Sequence, residues 1–97
     1  MRYVLFYASA DDVLEKAPLH YAAHSARVDE FARRGDLLLV GTFEDPVAHG
    51  SMSVFASREA AEEFVAGDPF VLNGVVRSHE IRGWNEILGG DRAVVNG

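Results

Sequence analysis

Residues 18–41, PLHYAAHSARVDEFARRGDLLLVG, read as one amphipathic helix, a glycine stop and a buried strand. On the helix Tyr21, His24, Val28 and Phe31 fall at i, i+3, i+7 and i+10 and so share a face. That face must point at a core. Three of its members are aromatic or aliphatic, and the fourth is a histidine, a titratable ring on the inward seam of the main helix. Pro18 suits the first helical turn, where its missing N–H costs nothing. Arg33 and Arg34 favour the C-terminal end of the helix dipole, and Gly35 is a good stop.

Outward from this stretch the chain falls into alternating elements. Arg2–Tyr7 (RYVLFY) is β-branched and aromatic and reads as a first strand, apolar on both faces. Ala8–Ala17 reads as a loop with an acidic patch at Asp11-Asp12 and room for a helical turn. Asp36–Gly41 is a second strand, again apolar on both faces and therefore covered on both. Thr42–Gly50 is a turn region and Ser51–Ala56 a third strand. Ser57 is positioned to cap a short helix over Arg58–Ala66, with Ala60, Ala61 and Phe64 inward. Gly67 stops that helix, Asp68-Pro69-Phe70 begins one more turn, and Val75–Trp84 is a fourth strand whose polar alternation suits an edge.

The order β-α-β-β-α-β predicts an α+β, ferredoxin-like fold with a four-stranded antiparallel sheet. Two helices cover only one face of such a sheet. The apolar residues on the other face predict a homodimer packed sheet to sheet. Residues 1–88 are expected to form the domain and residues 89–97 a flexible C-terminal tail.

Composition excludes several classes. Ninety-seven residues with 48% hydrophobic content and ten aromatic side chains (10%) are enough for a folded core. A net charge of −6 argues against a nucleic-acid backbone as partner. There is no cysteine, so disulfide and thiolate chemistry are out. The N-terminus reads as a strand rather than a signal or a membrane span, so a cytoplasmic protein with no membrane partner is expected.

No phosphate loop, G-x-S-x-G, H-E-x-x-H or cysteine-based metal pattern is present. Histidines and carboxylates remain. His24 is the sharpest candidate: a half-buried imidazole is the usual general acid or base. A core histidine satisfied by backbone carbonyls is the competing reading, though the small residues Ala22, Ala23, Ser25 and Ala26 leave room for a cavity. Asp68 before Pro69 reads locally as a helix cap; a fixed carboxylate is also a device for orienting an imidazole. Arg27, three residues after His24, could overhang the same pocket and hold an anionic substrate, or be a solvated flank residue. His20 and His24 at i, i+4 would need a third ligand to hold a metal, and no metal or other cofactor is expected. His49 and His79 read as loop and edge-strand residues. Tyr3, Tyr7 and Trp84 read as core or dimer-face aromatics, although a tyrosine hydroxyl could reach a pocket.

The opening strand YVLFY, the H-x-x-R of His24 to Arg27, G-x-L-L-x-x-G over Gly35–Gly41, and A-x-x-F followed by Asp68-Pro69-Phe70 together resemble the YciI-like (YCII-related) family. The resemblance extends over Met1–Trp84. It implies a ferredoxin-like fold that dimerises as a dimeric α+β barrel, with a site pairing His24 and Asp68 between the first helix and the sheet. Other such barrels include lactone isomerases, dehydrochlorinase-type lyases and cofactor-free monooxygenases. Thr42-Phe43 stands where many members have Gly-Pro, so the pocket rim is expected to differ. The reading this supports is a cofactor-free lyase or isomerase using a His24–Asp68 dyad on a small molecule. A non-catalytic ligand-binding or accessory module is the alternative.

Overall fold

The computed structural model describes residues 1–88; the expected tail, 89–97, lies outside them. Strand β1 (Arg2–Ser9) leads into helix α1 (Val13–Arg33) and strand β2 (Leu37–Thr42). A one-turn helix α2 (Pro46–His49) precedes strand β3 (Ser51–Phe55). Helix α3 (Arg58–Gly67) and the short α4 (Pro69–Leu72) then lead to strand β4 (Val76–Trp84). The strands form one antiparallel sheet in the order β2-β3-β1-β4. This is the expected ferredoxin-like arrangement, with α2 and α4 as added turns.

Helix α1 starts five residues earlier than expected, because Ala10 accepts the Val13 N–H and Asp12 accepts those of Glu15 and Lys16. The Lys16–Asp12 ion pair at 3.2 Å reinforces this first turn. Pro18 is therefore an interior residue, and Leu14 loses its regular helical donor. The helix ends as predicted. Gly35 adopts φ 79°, and the Gly35 and Asp36 N–H groups return to Ala32 and Phe31 in a Schellman motif.

The core lies between the sheet and the helices. Leu5 and Tyr7 of β1, Phe55 of β3, Phe31 of α1 and Phe64 of α3 belong to one buried cluster. Phe64 meets Phe31 edge to face, with centroids 5.2 Å apart. Burying each of these aromatics is worth roughly 1.5–3 kcal/mol. Ser57 caps α3 by accepting the Ala60 N–H at 3.1 Å, and Ala60, Ala61 and Phe64 point inward as predicted.

One expectation about burial is corrected, and another is not reached by a single chain. β2 is an edge strand, and its Leu39, on the face expected to meet a second copy, is 68% exposed within one chain. Tyr21 is 61% exposed although it shares a helix face with the buried Phe31. The N-terminal half of α1 stands away from the sheet and leaves space beneath it. Gly50 closes one side of that space. At φ 75°, with a hypothetical Cβ only 1.9 Å from the Tyr7 carbonyl oxygen, it presses the α2 turn against β1.

Candidate active site

The site forms where α1, β1 and the α3–α4 junction converge. Asp68 sits between the two helices with extended backbone (φ −69°, ψ 119°) and is 0% exposed. Its Oδ1 accepts the Phe70 N–H at 3.0 Å, the cap that the Asp-Pro pair predicts. The same oxygen lies 2.7 Å from His24 Nδ1, and Oδ2 accepts the Tyr7 hydroxyl at 2.6 Å. One carboxylate thus caps a helix and joins a histidine and a tyrosine from two other elements.

The electrostatics follow from these bonds. Burial alone pushes the Asp68 carboxyl up, but the donors from His24, Tyr7 and the Phe70 N–H outweigh it and hold the group below the usual carboxylate range. Burial drives the Tyr7 hydroxyl well above its ordinary value, and its bond to Asp68 adds to this. Tyr7 is a fixed donor rather than a proton shuttle.

His24 is held on several sides. Its ring stacks flat on Phe70, with centroids 3.8 Å apart and planes 2° from parallel. It meets Phe64 edge-on at 6.3 Å. With Asp68 ionised, Nδ1 carries the proton and donates, which leaves the Nε2 lone pair free. Nε2 has no hydrogen-bond partner among the described residues and is not sealed from solvent. His24 lines a cavity of about 280 Å³ between α1 and the sheet, together with Tyr7, Tyr21, Ser25, Thr42 and Ser51.

The third residue predicted for the site is not brought to it. Arg27 donates from Nη2 to the Glu63 carbonyl (2.8 Å) and from Nε to the Phe64 carbonyl (3.2 Å). Its guanidinium lies over the Phe31 ring at 4.8 Å and so close to Gly67 that a Cβ there would sit 2.6 Å from Nη2. Arg27 clamps the last turn of α3, from which Asp68 emerges, and does not line the cavity.

Tyr7 and Phe70 join the site without a motif of their own. The sequence signal for the first is the two-residue alternation that puts Tyr7 on the same face as Leu5. The second follows Asp68 by two residues and needed only the cap geometry. His79 lies on the edge strand β4, as predicted, whereas His49, expected in a loop, ends the one-turn helix α2. Among the described residues no group of three His, Cys, Asp or Glu side chains is placed to hold a metal ion. No helix there is long and apolar enough to cross a membrane.

Comparison with known proteins adds two findings. Residues 1–85 match the family described as YCII-related domain. The fold is similar to that of the 5-chloro-2-hydroxyhydroquinone dehydrochlorinase TftG from Burkholderia phenoliruptrix AC1100, solved in complex with 2,5-dihydroxybenzoquinone. The TM-score is 0.70 at 20% identity, covering 88% of this chain and 94% of the other. None of the curated proteins compared matches the chain.

Proposed function

The chain belongs to the YCII-related domain family, and on that footing we infer that it is a cofactor-free small-molecule lyase or isomerase working through His24 and Asp68. The observation that carries this is the 2.7 Å contact between His24 Nδ1 and a fully buried carboxylate, with Nε2 left open to a cavity. Asp68 fixes the Nδ1–H tautomer and stabilises the imidazolium. Nε2 takes a proton from an enolisable carbon or hydroxyl of a small cyclic or aromatic substrate. The released electron pair forms a new double bond. The proton then returns to another substrate atom, or a leaving group departs with its bonding pair. The elimination named for the dehydrochlorinase of similar fold is of this second kind.

Proton transfer by a placed imidazole contributes roughly 10²–10⁴-fold, which suits an activated substrate. Arg27 acts in this reading as a positioning residue that holds the turn carrying Asp68. The sheet face turned away from the helices carries Val4, Phe6, Val54 and Leu39; Val4 and Val54 are already buried within one chain, Leu39 is exposed, and a second copy of the chain is its proposed cover.

Turnover of small phenolic acids and lactones by wild type, His24→Ala and His24→Gln tests the inference. A loss of about 100-fold or more in kcat for both variants is expected. Unchanged turnover of every accepted substrate by His24→Ala would overturn it. Saturable binding without product, unaffected by His24→Gln, would make the protein a ligand-binding module instead.

A further inference from the structure

The dyad cavity adjoins a second, larger space. This chamber of about 700 Å³ lies under the N-terminal half of α1 and shares Tyr7, Tyr21, Thr42, Ser51 and Phe70 with the dyad cavity. Thr42 and Ser51 are cross-strand partners, as are Ser51 and Tyr7, so one row across the sheet floors the junction. Tyr21 and Phe70 flank that junction from α1 and α4. Beyond it the chamber walls are Val13, Leu14, Ala17, Val47, Val75 and Val76.

The two spaces differ in chemistry. The dyad cavity holds the imidazole and the hydroxyls of the junction. The chamber has no charged residue and no histidine in its lining. Of its polar side chains, Ser9 donates to the Pro46 carbonyl at 2.7 Å and Tyr7 to Asp68 at 2.6 Å, so neither donor is free for a ligand. Away from the Tyr21, Thr42 and Ser51 hydroxyls at the junction, a charged or strongly hydrogen-bonding group would be desolvated there without a side-chain partner. An apolar group loses nothing and gains contact on several sides. At about 280 Å³ the dyad cavity lies at the lower limit of small-ligand pockets, enough for one ring; the chamber is surplus to a bare ring.

We propose that the substrate is amphipathic: an enolic or phenolic ring seated at His24, carrying an uncharged apolar substituent that crosses the Thr42–Ser51–Tyr7 row and fills the chamber. This rests on the reading of His24 and Asp68 as the reactive pair. It separates two tasks. The ring end meets the proton-transfer group, and the apolar end supplies the binding energy that holds it there.

The test is a homologous series of 4-n-alkylcatechols, from methyl to heptyl, titrated into the full-length protein by calorimetry, with the His24 ring followed by NMR. Affinity is expected to rise roughly fourfold per methylene until the chamber is filled. Ala17→Phe, which adds a ring to the chamber wall and none to the dyad cavity, is expected to flatten that rise. The methyl compound should still perturb the His24 ring in this variant.

A flat series in wild type, with the methyl compound still perturbing His24, overturns the proposal and leaves the dyad reading intact. The chamber then has another occupant, such as a second copy of the chain. A rise that Ala17→Phe does not blunt also overturns it, since the alkyl chain then lies elsewhere. If no member binds, the proposal fails, and the dyad reading is judged separately by the His24 tautomer in Asp68→Asn.

Discussion

The Asp68 carboxylate takes three donors at once, and its chemistry follows from that count. With its folded pKa held below the unfolded value, Asp68 binds fewer protons folded than unfolded near that range. Its contribution to stability is complete above the unfolded pKa of about 4 and is lost as pH falls through the folded value. The Tm gap between wild type and Asp68→Asn should therefore be wide at neutral pH and narrow in acid. A gap constant from pH 7 to 3 would count against the assignment. Tyr7→Phe removes one of the three donors, should cost about 1 kcal/mol, and should move the acid limb of the wild-type curve to higher pH. The ¹⁵N signals of the His24 ring give a more direct check. An amide at position 68 has one acceptor oxygen for three donors, so Asp68→Asn should shift the ring proton from Nδ1 towards Nε2. Identical tautomers in both proteins would separate the two residues.

At the level of helices and turns, backbone geometry decides which changes are tolerated. Gly35 and Gly50 both have positive φ, but they differ in surroundings. A Cβ at Gly35 meets nothing within 4 Å, so Gly35→Ala should cost only the left-handed strain, about 1–2 kcal/mol. A Cβ at Gly50 collides with the Tyr7 carbonyl, and Gly50→Ala must shift α2 away from β1. Denaturation midpoints should rank Gly50→Ala well below Gly35→Ala, and equal midpoints would contradict the packing of α2. Arg27 offers a different contrast. Because Arg27 clamps the Glu63 and Phe64 carbonyls, Arg27→Ala should cost about 1–2 kcal/mol of stability, read as a lower Tm, and reduce kcat through a loosened Asp68 turn. An arginine that held substrate would instead raise KM.

In the molecule as a whole, the helices cover one face of the sheet; on the other, Val4 and Val54 are buried within the chain and Leu39 of the edge strand is exposed. Val4, Val54 and Leu39 lie in one cross-strand row, and Phe6 faces Met52 in the next. Leu39 is exposed within a single chain, so Leu39→Asp should leave the monomer's fold intact. If two copies pack sheet to sheet, sedimentation equilibrium should give twice the chain mass for wild type and the single mass for Leu39→Asp. A wild type that sediments as a single chain at micromolar concentration would end the dimer proposal.

Local pattern determined most of the architecture. Periodicity, caps and glycine stops gave the order of strands and helices, the Schellman end of α1 and the inward face of α3, because these depend on residues within a turn or two of each other. Pro18 misled the reading of α1: proline is best tolerated at a helix start, yet the turn closed by Ala10, Asp12 and Lys16 began the helix ahead of it. Apolar strand faces were legible, but the place of β2 at the edge of the sheet was not, since strand order depends on pairing between segments distant in sequence. His24 and Asp68 stood out singly. Their pairing, 44 residues apart, came only from resemblance to a family, because no local spacing encodes a contact made by packing α1 against the α3–α4 junction. Tertiary structure alone brought Tyr7 to the other oxygen of Asp68, turned Arg27 onto the end of α3 and left a chamber under α1. Each of these depends on how elements distant in sequence fill the space between them.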